Sequence, residues 1–135
     1  VSGLLLDTHA LVWLVEGDDS LGSKARARAE AACAEDALAV SAASFWETAR
    51  LLARGRLAFA VPLAAWRRAV LALGVQEVPV TGDIAIDGGA LPGFKGDAAD
   101  RVIAATALHI GATLMTADPR MLAWTGPLAR LDARV

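Results

Sequence analysis

At 135 residues the chain fits one domain, over residues 1–135, with a substantial core and without room for two ordinary ones. Thirteen basic against fifteen acidic residues, net −2, argue against a passive polyanion binder, and the lone Cys33 excludes an intrachain disulfide or a thiolate metal cluster. A hydrophobic share of 56% exceeds what a small core needs even when much of it is alanine, so part of it is expected to cover a partner.

Along the chain, Leu4 to Asp7 reads as a short buried strand, and Thr8 is expected to cap a helix running to Glu16. Gly17-Asp18-Asp19-Ser20 breaks it, and Ser20 is the expected cap of a helix from about Leu21 to Glu35. Leu38-Ala39-Val40 forms a second short strand. A helix from Ser41 or Ser44 then carries Phe45, Trp46, Glu47, Leu51 and Leu52 to a stop near Gly55. Pro62 opens a helix that ends at Gly74, and Val75 to Val80 is a strand shortened by Pro79. Thr81 caps a brief helix ended by Gly88-Gly89. After the loop Pro92 to Gly96, a helix spans Asp97 to His109. Ala112 to Met115 is a buried strand, Asp118-Pro119 turns into a short helix, and Leu128 to Leu131 is a final edge strand. Strands alternating with helices predict an α/β sandwich with a mainly parallel sheet, whose functional crevice lies beyond the carboxyl ends of the strands. There is no secretory leader pattern and no bilayer-length apolar run, so a cytoplasmic protein without membrane attachment is expected.

Acids recur at element ends. Asp7 and Asp118 follow buried strands, Glu47 sits in a helix beside Trp46, and Asp100 shares a helix start with Asp97. Each has an ordinary role available, as a cap, a dipole partner or a surface ion pair. Gathered together they repel unless a cation compensates them, which points to a Mg²⁺ or Mn²⁺ site and to phosphodiester hydrolysis. Hard divalent ions prefer such all-oxygen donor sets.

Four segments carry a family resemblance: Leu5-Leu6-Asp7-Thr8-His9-Ala10-Leu11-Val12-Trp13-Leu14; Val40-Ser41-Ala42-Ala43-Ser44-Phe45-Trp46-Glu47-Thr48-Ala49; Gly96-Asp97-Ala98-Ala99-Asp100-Arg101-Val102-Ile103; and Leu114-Met115-Thr116-Ala117-Asp118. In order and spacing the chain resembles the PIN-domain ribonucleases, specifically the VapC-like toxins of bacterial type II toxin–antitoxin pairs. The resemblance implies a PIN-like three-layer α/β/α sandwich. It also implies that Asp7, Glu47, Asp100 and Asp118 are the catalytic, metal-binding acids. Asp97 matches an additional acid of this branch, expected to act through water or behind the ligands. Thr116 matches a hydroxyl that completes the site, and Thr8 is expected to support it. Ala98 stands where proline is more usual, a departure at a helix start where proline is optional.

The implied activity is a Mg²⁺-dependent endoribonuclease, with Mn²⁺ as an alternative, that activates water and leaves 5′-phosphate and 3′-hydroxyl ends, typically on transfer or ribosomal RNA. The implied partners are a second copy of the chain and a small antitoxin with a DNA-binding part, docking on the apolar helices Thr8 to Glu16 and Phe45 to Leu57. His9, Arg101 and Lys95 are candidate substrate contacts, each weighed against a structural role, and Arg-rich stretches are expected to form a basic rim. Rival readings fit less well. An aspartyl phosphatase wants an Asp two residues after Asp7, where His9 stands, and a receiver-like domain wants an acceptor Asp where Ser41 stands. A nonhydrolytic RNA- or protein-binding module on the same fold is the alternative function.

Overall fold

The structure, a computed structural model, describes residues 3–135. Five strands form one sheet in the order β3-β2-β1-β4-β5: β1 (Leu4–Leu6), β2 (Leu38–Ser41), β3 (Gln76–Val78), β4 (Thr113–Thr116) and β5 (Arg130–Asp132). Every adjacent pair is parallel, so the expected mainly parallel sheet is parallel throughout. Seven helices connect and cover it: α1 (Thr8–Glu16), α2 (Ser23–Ala34), α3 (Ala42–Ala53), α4 (Leu63–Ala72), α5 (Gly82–Gly89), α6 (Ala98–Ile110) and α7 (Pro119–Ala123).

The unbroken apolar runs of the central strands follow from burial on both faces. Leu4, Leu6, Leu38, Val40 and Met115 pack with Leu11 of α1, Ala25 and Ala29 of α2, and Trp66 and Val70 of α4. Their neighbours Leu5, Ala39 and Leu114 point the other way, onto Ile103, Ala104 and Ala107 of α6, with Met121 and Trp124 behind them. Each fully buried leucine contributes roughly 2 kcal/mol by leaving water. That alternation makes the three-layer sandwich: a one-residue slip of β1 would exchange its two sets of neighbours. The chain builds β1, β2 and β3 outward on one side and then crosses to β4 on the other. The switch point therefore lies between β1 and β4, and the crevice opens at their carboxyl ends.

Two expected caps differ. Asp7, not Thr8, caps α1, accepting from the Ala10 N–H at 2.8 Å. Ser20 does not start α2. Its N–H donates to Asp18 in a local turn at 2.8 Å, and the helix begins two residues past Leu21, behind Gly22. The donors there are met by the end of the chain instead: Gly22 and Lys24 donate to the carbonyls of Ala133 and Val135 at 2.8 and 3.0 Å. A Cβ at Gly22 would overlap the Val135 backbone, so glycine is what lets the two segments touch. The last strand is shifted from the expected 128–131 to Arg130–Asp132, because Leu128 turns into the core, 5% exposed. Among the described residues no helix is long and apolar enough to cross a membrane.

Candidate metal centre

Asp7 leaves β1 at the switch point and is 6% exposed. Its N–H is held by the Met115 carbonyl of β4 at 3.0 Å, which extends the ladder one residue past the strand. One carboxylate oxygen caps α1, and the other accepts from the Thr116 hydroxyl at 2.5 Å. Thr116, at the end of β4, also accepts from the Asp118 N–H at 3.0 Å, so one hydroxyl spaces two of the acids. Burial pushes the Asp7 carboxyl up, and the nearby Glu47 charge adds to this; the Thr116 and Ala10 hydrogen bonds pull against it.

Thr8 lines the cavity with the acids. Its buried hydroxyl donates to Ser44 Oγ at 3.1 Å and so ties α1 to α3, the helix that carries Glu47. Asp97 caps α6 and accepts from the Asp100 N–H at 3.0 Å, while Asp100 accepts from the Asp97 N–H at 3.3 Å. This reciprocal capping box places two carboxylates side by side at one helix start. The preceding loop comes close enough that a Cβ on Gly96 would strike the Phe94 ring and lie 2.8 Å from Asp100 Cβ.

Carboxylate oxygens of Glu47, Asp97 and Asp100 all lie within 4.8 Å of one another. Asp97, expected behind the ligands, stands in this inner group, because the capping box fixes it beside Asp100. Asp7 and Asp118 line the same cavity, of about 600 Å³, without belonging to the inner group. Asp100 is 9% exposed, and its carboxyl is raised from an ordinary 3.8 to about 7, first by burial and then by the charges of Asp97, Glu47 and Asp118. A site that forces one of its acids toward neutrality is short of positive charge. An all-oxygen donor set of this density fits a hard divalent ion such as Mg²⁺ or Mn²⁺.

Part of the missing charge comes from Arg120, a residue no sequence pattern had singled out. Its guanidinium reaches Asp118 at 3.1 Å and Asp100 at 3.2 Å. Partial burial alone would raise Asp118, but the hydrogen bonds and charge of Arg120 outweigh it and hold that carboxyl low. The available signal was the cap: at position 120 the residue lies two past the N-cap Asp118, whose Oδ1 accepts the Arg120 N–H at 2.9 Å.

The expected substrate contacts separate. His9 is exposed, lines the cavity and leans on Trp13, with ring centroids 6.1 Å apart. Arg101 is engaged by the backbone. Its guanidinium donates to the carbonyls of Gly88, Gly89, Leu91 and Phe94 at 2.9–3.2 Å, so every arm is used to fasten the end of α5 and the loop after it to α6. Lys95 is exposed but outside the cavity lining. The expected basic rim is present: Arg50, Arg54, Arg56 and Arg134 border the acidic floor. Trp46 stands beside it, 53% exposed, with the Arg50 guanidinium 5.0 Å from its ring. Trp66 and Trp124 are core residues.

Residues 4–124 match the PIN domain family. Ribonuclease VapC22 of Mycobacterium tuberculosis is 39% identical over 119 residues, which cover 87% of this chain and 88% of that one. Among solved structures, DNA-bound VapBC from Salmonella typhimurium aligns with a TM-score of 0.70 at 17% identity, over 98% of each chain. FitAcB from Neisseria gonorrhoeae aligns at 0.65 and 21% identity, over 96% of this chain and 97% of that one. A toxin–antitoxin complex from Klebsiella pneumoniae aligns at 0.62 and 20% identity, over 97% of this chain and 98% of that one. At these identities the structures speak to the fold.

Proposed function

The chain belongs to the PIN-domain family, with VapC-like ribonuclease sequence, and on that premise we propose that it is a divalent-metal-dependent endoribonuclease serving as the toxin of a toxin–antitoxin pair. The observation that carries the metal dependence is the crowding of Glu47, Asp97 and Asp100 within 4.8 Å, with Asp7 and Asp118 in the same cavity. Repulsion of this kind is tolerable in a working site when a cation offsets it. Asp7, Glu47, Asp100 and Asp118 are the proposed ligands, with Asp97 close enough to join them directly or through water. When bound, Mg²⁺ or Mn²⁺ supplies the charge that stabilises the phosphate and acidifies an attacking water, and the products carry 5′-phosphate and 3′-hydroxyl ends.

The chain's own residues do the rest. Thr116 holds the Asp7 carboxylate in a fixed direction, and the capping box does the same for Asp97 and Asp100. The rim arginines Arg50, Arg54, Arg56 and Arg134 attract the RNA backbone to an opening whose floor would otherwise repel it, and His9 borders the path. The substrate class is structured RNA in the cytoplasm, such as transfer or ribosomal RNA.

The proposed partner is a small antitoxin with a DNA-binding part. Trp13 and Leu51, from the two helices expected to dock it, line the same cavity as the acids, so a bound segment would also obstruct the site. A homodimer completes the assembly, and the exposed Trp46, Val80 and Ile86 are among the apolar side chains available for it to cover.

The test is incubation of total RNA with antitoxin-free protein in EDTA, Mg²⁺ or Mn²⁺, followed by mapping of the ends, with Asp7→Asn alongside. Discrete metal-dependent products with 5′-phosphates, lost in the folded variant, are expected. Equal cleavage by Asp7→Asn would reject the assignment of this acid to the site.

A further inference from the structure

The way Arg120 is held differs from that of the other well-anchored arginines nearby. Arg101 is fastened by four backbone carbonyls, and Arg130 by those of Met121 and Trp124. Carbonyl partners stay in place whatever binds in the cavity. The Arg120 side chain is 54% exposed, and the hydrogen bonds it makes run to the carboxylates of Asp118 and Asp100. Asp100 Oδ2, which it contacts at 3.2 Å, belongs to the inner group of acids. An incoming divalent ion would need lone pairs on the same carboxylates and would repel the guanidinium.

We infer that Arg120 is a resident counter-ion of the acid cluster, displaced from Asp100 when a divalent cation enters, and that this competition sets how tightly the cation is held. The inference rests on the reading of the cluster as a divalent site. Its premise is geometric: a single guanidinium bridges an acid of the inner group to the cap of α7, and its open side faces solvent. Moving out of the cluster requires rotation of one exposed side chain and no change in the backbone. The bond from the Arg120 N–H to Asp118 can remain, so the α7 cap survives the displacement. The opposite role is equally concrete. If Arg120 serves to aim Asp118 at the ion, its removal must weaken cation binding.

Calorimetric titration of Mn²⁺ into the wild-type chain, Arg120→Gln and Arg120→Lys separates these cases. Arg120→Gln is expected to bind Mn²⁺ about fivefold more tightly, the scale set by two partly exposed ion pairs lost from the competitor. Arg120→Lys is expected to lie between, because a compact ammonium on a flexible stem cannot bridge two carboxylates as a planar fork does. Melting supplies a second readout: Arg120→Gln should melt below wild type in EDTA, and the gap should close at saturating Mn²⁺. Unchanged or weaker Mn²⁺ affinity in folded Arg120→Gln, beside a wild type that binds, would overturn the counter-ion role alone. Absence of Mn²⁺ binding by the wild type would overturn the divalent-site reading and this inference with it.

Discussion

Asp100→Asn should stabilise the metal-free protein, and the structure sets the size of the effect. The rise of the Asp100 carboxyl from 3.8 to about 7 means that ionising it costs the folded state about 4 kcal/mol relative to the unfolded chain. Water entering the open cavity, and loss of the partly exposed contact to Arg120, reduce the net gain from substitution to about 2 kcal/mol. Spread over the unfolding entropy of a chain of this length, that is about 7 °C in melting temperature.

The pH dependence has a definite sign. Between about pH 4 and about pH 7 the folded state holds this proton more strongly than the unfolded one, so wild-type stability falls as pH rises through that window. The variant, which has no charge to lose, should be ahead by the full amount near pH 8 and should lose its lead toward pH 4. The assay is thermal unfolding in EDTA at both ends of the window, repeated with Mn²⁺. With the ion the order should reverse, since binding to the native state favours the wild type. Asparagine keeps an oxygen to accept from the Asp97 N–H, so the capping box is not the variable. If Asp100→Asn melted at or below wild type near pH 8 without metal, the argument from repulsion would be wrong.

Three other substitutions probe the frame. Arg101→Met removes a guanidinium shared by four carbonyls and should cost about 3 kcal/mol by denaturant unfolding while leaving Mn²⁺ affinity intact; a variant of normal stability that bound RNA poorly would favour the phosphate role instead. Thr116→Val leaves one oxygen of the buried Asp7 without its donor and should cost about 2 kcal/mol at neutral pH. Because that hydrogen bond now pulls the raised Asp7 carboxyl down, its loss raises it further, and the deficit should narrow in acid; a constant deficit across pH would place the cost elsewhere. Gly22→Ala should part the chain end from α2, seen as faster amide exchange at Gly22-derived Ala and at Lys24; unchanged exchange would show that the contact is not tight.

The elements were legible because their signals are local. Leu4 to Asp7 and Ala112 to Met115 read as buried strands, and β1 and β4 pair in parallel with Leu5, Leu6, Leu114 and Met115 fully buried. The start of α6 was readable from Asp97 and Asp100, three residues apart, because a capping box closes within one turn. The caps of α1 and α2 were each misplaced by a competitor that local reading underrates, in one case the adjacent Asp7 and in the other a chain end more than a hundred residues away.

By itself the sequence determined an α/β chain with acids at strand and helix ends, since period, caps and turns are settled by neighbours along the backbone. Only the tertiary structure decided which acids share a cation-sized space, that Asp97 is among them, and that Arg101 is consumed by carbonyls while Arg120 is spent on carboxylates. Those outcomes depend on how helices cross the sheet. The Thr8–Ser44 and Thr116–Asp7 contacts span 36 and 109 residues, and no spacing along the chain encodes the distance between side chains brought together from so far apart.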